Sequence, residues 1–205
     1  MKFTAQQIRK LEHFLSNIEA QTYPEPVEEI HQGITEQMMD RLFQRYPMST
    51  GSSVLDVGCG QGVALEKFTA LGLNATGITL NKEDVSICQQ KGFNVHHMDQ
   101  SFLSMDDNSF DLVWNRHCIE HSIFPLFTLV GLHAVLKPGG LLYLEMPGVD
   151  TTGKHETNPN HYSILGKSMW VQLIARSGFE MQEMLDLDFI SPAGEEKYMA
   201  FIAKK

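Results

Sequence analysis

Two short stretches of the chain concentrate residues that could do chemistry. Between Ser52 and Phe68 the order SSVLDVGCGQGVALEKF sets Gly58, Gly60 and Gly62 at alternate positions behind an apolar run, with a carboxylate, Asp56, inside that run. Further on, HCIEH places His117, Glu120 and His121 within five residues, and His155 and His161 follow in the polar stretch GKHETNPNHYS. Glycine admits positive φ and lets a ligand touch the backbone with no Cβ in the way. A glycine turn that leads from a strand into a helix also aims the helix's first amides at whatever binds there. Imidazole titrates near pH 6.5, so a histidine beside an attacking hydroxyl or amine can take its proton, and imidazole with carboxylate also holds metal ions.

The elements that must position these groups follow from period and punctuation. Thr4 and Gln7 form a capping-box pattern ahead of Ile8, Leu11, Leu15 and Ile18 at helical spacing. TYPEP breaks that helix, and residues 27–46 read as a second, with Met38, Met39, Leu42 and Phe43 on its apolar side. From Ser53 the rhythm changes: SVLDV, NATGITL, FNVHHM, FDLVWN and GGLLYLEM alternate with helix-like segments, which predicts βαβ units around a parallel sheet. Near the end, MQEMLDLDFIS and KYMAFIAKK follow each other across PAGEE, which predicts an antiparallel hairpin closing one edge. Residues 1–48 then form an N-terminal helical segment and 49–205 the α/β domain.

Bulk properties narrow the partners. A chain of 205 residues, 42% hydrophobic and 20% charged, has the balance of one soluble globular domain. Sixteen Lys and Arg against 25 Asp and Glu give a net charge of -9, which would repel a phosphate backbone, so long nucleic acid is not expected as a partner. Cys59, Cys88 and Cys118 are odd in number and lack metal or CxxC spacing, which fits a reduced, cytoplasmic setting. No apolar run is long enough to span a bilayer, and the start lacks a signal-peptide core, so neither a membrane nor secretion is expected.

Two ligand classes use a glycine turn at a strand end. Dinucleotide sites favour GxGxxG, where helix amides hold a pyrophosphate. Here the spacing is GxGxG, with an acid two residues before the first glycine, a poor neighbour for a diphosphate and a good one for a cationic or amine-bearing ligand. DVGCGQG resembles the first motif of class I S-adenosylmethionine-dependent methyltransferases. MDQSFLSMDDNSFDLVWN, LKPGGLLYLEMP and NHYSILGKSMWVQLIARSGFEM resemble later stretches of the same family. The resemblance implies a three-layer Rossmann-like α/β fold, seven strands in the order 3-2-1-4-5-7-6 with strand 7 antiparallel, preceded by the N-terminal helices as a lid. It implies S-adenosyl-L-methionine as the cofactor.

The resemblance also assigns residues. The backbone from Gly58 through Cys59 and Gly60 to Gly62 would cradle the methionine part, and Asp56 would hold its amino group. Asp99, with Gln100 beside it, would accept from the adenine amine, and Asn115 would lie beneath the methionine portion or cap its strand. The second strand of such proteins commonly ends in an acid that grips the ribose hydroxyls. GITLN offers Thr79 and Asn81 instead, a neutral pair with weaker hydrogen bonds, as in cyclopropane-fatty-acid-synthase-like methyltransferases.

Three readings of HCIEH compete. As letters it is the HxxEH of one class of zinc peptidases, but it follows a strand directly and Pro125 soon interrupts it, which argues against that class. It also resembles the ExxEH of ubiquinone-biosynthesis and small-RNA O-methyltransferases, whose ligands hold a divalent ion against the acceptor oxygens. That likeness would make His117, Glu120, His121 and His161 ligands, with imidazole favouring zinc-like ions over Mg²⁺. The plainer reading, which we favour at this stage, has no metal, with Glu120 and His121 merely starting a helix. His117 and His161 are the candidate proton acceptors, with His155, and Tyr23 or His31 could face the acceptor. The function expected is methyl transfer to a small molecule at oxygen. The alternatives are a non-catalytic cofactor-binding partner subunit, or a nicotinamide-dependent reductase, which the absent GxGxxG and Tyr-x-x-x-Lys disfavour.

Overall fold

Alternating apolar runs and helical segments assemble into one seven-stranded sheet. The computed structural model describes residues 2–24, 29–191 and 194–205. The strands are β1 (Ser53–Val57), β2 (Asn74–Thr79), β3 (Asn94–His97), β4 (Phe110–Arg116), β5 (Leu136–Pro147), β6 (Glu180–Ser191) and β7 (Gly194–Lys204). The helices are α1 (Ala5–Glu19), α2 (Glu29–Arg45), α3 (Val63–Ala70), α4 (Lys82–Gln90), α5 (Pro125–Val135) and α6 (Lys167–Arg176). The strand order is β3-β2-β1-β4-β5-β7-β6. β1 to β5 pair in parallel, and β7 runs antiparallel to both β5 and β6. This is the expected order with the expected antiparallel strand.

Local chemistry sets the helix starts. Thr4 Oγ1 accepts from Gln7 N at 3.3 Å while Thr4 N donates to Gln7 Oε1 at 2.9 Å, the reciprocal cap read from the sequence. Asn81 caps α4, and Pro125 opens α5, where its missing N–H costs nothing. The expected start of the second helix at residue 27 lies outside the described residues.

Two boundaries differ from expectation. β5 begins at Leu136, ahead of Pro138-Gly139-Gly140, and pairing slips from Phe110↔Leu136 to Leu112↔Leu141. The Pro-Gly-Gly turn is thus absorbed as an irregularity inside the strand instead of preceding it. The β6–β7 hairpin is also longer than PAGEE suggested, because Glu195 and Glu196 pair with Ile190 and Phe189.

The sheet buries both faces. Leu55, Val57, Val113 and Leu144 pack with Leu129 and Leu132 of α5 and Trp170 and Ile174 of α6. On the other face Val54, Leu112, Trp114 and Tyr143 pack with Met38, Met39 and Leu42 of α2 and Phe68 of α3. The Trp114 and Tyr143 rings stack with centroids 3.9 Å apart. Full burial of each such side chain stabilises by about 1.5–3 kcal/mol. α2 is therefore core, whereas α1 has no buried residue. No helix among the described residues is long and apolar enough to cross a membrane.

Candidate active site

β1 ends at the middle of the sheet, and the glycine turn leaves from its carboxyl end. Gly58 N and Cys59 N both donate to Ile78 O, at 2.9 and 3.0 Å, clasping the turn to β2. Gly58 (φ 76) and Gly60 (φ 47) hold conformations that a side chain resists. A Cβ at Gly58 would stand 2.6 Å from the Cys118 Sγ. Asp56 is 3% exposed, and its Oδ2 is buried with no hydrogen-bond partner among the described residues. Burial first, then the nearby Cys88 thiol, pushes the Asp56 carboxyl up to about 8.

Two chambers open at this edge. The inner one runs from Gly58 and Gly60 past Thr79, Asp84 and Asp99, with Leu15 and Ile18 of α1 across it. The outer one holds Asp56, Arg116, His155, His161 and Tyr198, with His31 and Thr35 of α2. Their volumes are about 110 and 440 Å³, so the outer chamber has the room for a ligand of its own. Gly58, Gly60, His117, His121 and Tyr23 border both, so the two chambers are neighbours across these residues.

The cofactor residues expected from sequence divide into three kinds. Gly58, Gly60, Thr79, Asn81, Asp99 and Gln100 line the inner chamber, and Asp56 and Cys59 line the outer. Asn115 borders neither chamber among the described residues. It is fully buried, donating to Gln100 Oε1 at 3.2 Å and accepting from Ile119 N at 3.1 Å, so it orients Gln100. Gly62 also stands back, because a Cβ there would meet the Phe93 ring at 3.1 Å and Cys88 Sγ at 3.2 Å.

Sequence reasoning missed Asp84. Asn81 Oδ1 accepts from Glu83 N and Asp84 N at 3.0 and 3.1 Å, so the amide oxygen of one of the two expected ribose ligands serves as a helix cap. The cap turns the chain so that Asp84, 1% exposed, borders the inner chamber one turn later. An Asn followed three residues on by an acid is a helix-start signal that could have found it.

HCIEH forms a short 3-10 turn, Ile119–His121, after β4. Ligating atoms of Glu120, His121 and His161 lie within 4.8 Å of one another. His121 Nδ1 and His161 Nδ1 each stand 2.9 Å from a backbone carbonyl, Asn160 O and His155 O. A carbonyl only accepts, so Nδ1 carries a hydrogen in each ring and Nε2 is the atom left to hold a metal. Burial holds His161 down at about 4, hence neutral at pH 7. Glu120 Oε2 is buried without a partner among the described residues.

His117 falls outside this group, which corrects its placement among the candidate ligands. It stands at φ 50, a strained turn off β4, and points Nδ1 at Glu120 Oε1 (3.4 Å) and Nε2 at Glu145 Oε1 (3.3 Å). Burial opposes its charge, but the two carboxylates outweigh burial and hold its pKa above the ordinary value. Burial likewise opposes ionisation of Glu120 and Glu145, yet His117 for the first, and Arg116 then His117 for the second, hold both below the usual range. His155 faces Glu196 Oε2 at 3.1 Å in the outer chamber, so the loop expected over the cofactor covers the outer chamber too.

A sheet in this order, with an acid and a glycine turn at its central carboxyl edge, defines the class I Rossmann-like methyltransferase architecture. The family model described as Methyltransferase domain matches residues 30–189, and the chain belongs to that family. A ubiquinone biosynthesis O-methyltransferase of Nitrosococcus oceani is 32% identical over 100 residues, covering 45% of this chain and 42% of that one. The chain therefore aligns with less than half the length of this relative. Among solved structures, the [4+2]-cyclase SpnF superposes with a TM-score of 0.72 at 20% identity over 98% of this chain and 96% of that one. A Haemonchus contortus phosphoethanolamine N-methyltransferase, in complex with S-adenosyl-L-methionine, gives 0.69 at 18% identity over 83% and 52%. Identities this low speak for the fold alone.

Proposed function

We propose that the protein transfers the methyl group of S-adenosylmethionine to an oxygen of a small-molecule acceptor, with a divalent metal ion held by Glu120, His121 and His161. The observation that carries this reading is that Gly58, Gly60 and His121 border both chambers, with Glu120 and His161 in the outer one. The glycine turn suits the cofactor: Gly58 and Gly60 border both chambers, and the unpartnered Asp56 oxygen, on the outer side of that turn, matches its amine. Asp84 takes the ribose hydroxyls and Asp99 the adenine amine. Leu15 and Ile18 make α1 the lid of the cofactor chamber.

The metal also fits. Two imidazole lone pairs and one carboxylate suit a zinc- or manganese-like ion, and each imidazole is held by a backbone carbonyl as such ligands are. A bound ion would supply Lewis acidity that favours the ionised form of an acceptor hydroxyl. His161, at about 4, is a weak proton acceptor and a good ligand. His117, set between Glu120 and Glu145, steadies the Glu120 carboxylate. The chain otherwise aligns the acceptor oxygen with the methyl carbon; its lone pair forms the new C–O bond as the C–S electrons return to sulfur. The displacement needs no further base once the hydroxyl has lost its proton to solvent.

The test is methyl transfer to a panel of catechols and phenols, with metal added and with metal stripped. Turnover should require metal, and Glu120→Gln and His121→Ala should each lose at least about 100-fold, with S-adenosylhomocysteine binding kept. Full activity after stripping would remove the metal. Absence of cofactor binding by calorimetry would remove the whole reading.

A further inference from the structure

One buried cation in the outer chamber lacks a full set of partners. Arg116 ends β4 with its side chain 10% exposed. Its Nε lies 2.8 Å from Glu145 Oε1, but its Nη2 is buried and has no hydrogen-bond partner among the described residues. Glu145 is shared among three groups: Tyr143 donates to Oε2, while Arg116 Nε and His117 Nε2 (3.3 Å) both face Oε1. A guanidinium offers its donors as a planar fork, and leaving a buried charged donor unpaired is costly. At a cavity wall such a donor points to an oxygen that arrives with the ligand.

We propose that Arg116 anchors a carboxylate of the acceptor, so that the outer chamber selects acidic acceptors over neutral ones of the same shape. This rests on the reading that the outer chamber receives the acceptor. The surroundings permit an anion. Glu145 faces Arg116 and His117, Glu120 faces His117, and Glu196 faces His155. In the loaded protein Asp56 faces the ammonium of the bound S-adenosylhomocysteine, so its charge is balanced and adds little repulsion. Trp114, Tyr198 and His31 line the same chamber and suit a planar body behind the carboxylate.

The experiment titrates benzoate and its neutral isostere benzamide into S-adenosylhomocysteine-loaded protein stripped of metal on a chelating resin, read by ligand-observed NMR. Benzoate should bind at least about tenfold more tightly. Arg116→Gln should level the two, and Arg116→Lys should keep part of the preference, since it retains the charge and loses the fork. Equal binding, no binding of benzoate, or a preference that survives Arg116→Gln would overturn the proposal. Arg116 does not border the inner chamber, so retained S-adenosylhomocysteine affinity certifies the fold of each variant. Should Arg116→Gln lose that affinity, wild type and Arg116→Lys decide. Failure of methyl transfer with every phenol would strike the proposed activity and leave this binding result standing.

Discussion

In the proposed site, Asp56 would trade stability for a ligand. Its carboxyl is raised from 3.8 to about 8 by burial, so the folded protein holds a proton that the unfolded chain has released across that interval. Stability from this group is therefore full below pH 3.8 and falls as pH rises toward about 8, by about 1.4 kcal/mol per unit at most. Asp56→Asn should raise the melting temperature of the cofactor-free protein at pH 8 while abolishing S-adenosylhomocysteine binding. A variant that melts lower at that pH would contradict the burial argument. An ammonium held there as proposed would require the ionised acid, so affinity should climb with pH up to about 8 and binding should release a proton. Calorimetry in buffers of different ionisation enthalpy measures that proton directly.

At the scale of elements, what the sequence revealed and what it hid have separate causes. The strand–helix rhythm, the cap at Thr4 and the closing hairpin were legible because each rests on neighbours in the chain. The glycine turn was legible for the same reason. Arg116 and Glu145 were not: parallel pairing of β4 with β5 sets them in register across 29 residues of sequence, and nothing local marks the meeting. Asp84 was hidden because its direction depends on the cap at Asn81. For Asn115 the two alternatives stayed open in the sequence, because only the fold shows that it is buried and accepts from Ile119 N just past the end of β4. α1 remains the element with least to hold it. It buries no residue, and its Glu19 makes only half-exposed pairs with Lys82 and His97, each worth about 0–1 kcal/mol. A helix of 15 residues is marginal alone, so the contents of the inner chamber should complete its packing. Amide exchange across residues 5–19 should slow when S-adenosylhomocysteine binds, and Leu15→Ala with Ile18→Ala should weaken that binding without lowering the melting temperature of the free protein. Equal exchange in both states would show that α1 is no lid.

At the scale of the whole molecule, the field of the chain favours one charge over the other. A net charge of -9 surrounds the chamber proposed for the cofactor, which Asp84 and Asp99 border, and Asp56 lines the outer chamber on the other side of Gly58 and Gly60. S-adenosylmethionine and S-adenosylhomocysteine share every hydrogen-bonding group, but only the first carries the sulfonium charge. Their affinity ratio therefore isolates the field acting on one positive charge at the chamber junction. Raising ionic strength from about 10 to 150 mM shortens the Debye length from about 30 to 8 Å, which removes the distant surface charges and leaves the buried ones in force. The ratio should favour S-adenosylmethionine at low salt, shrink severalfold over that range, and then level off where the buried acids alone act. Paired calorimetric titrations at each salt concentration give the ratio without reference to any acceptor. A ratio that ignores salt would place the preference wholly in the buried acids, and one that rises with salt would mean that the molecule's field opposes its own cofactor.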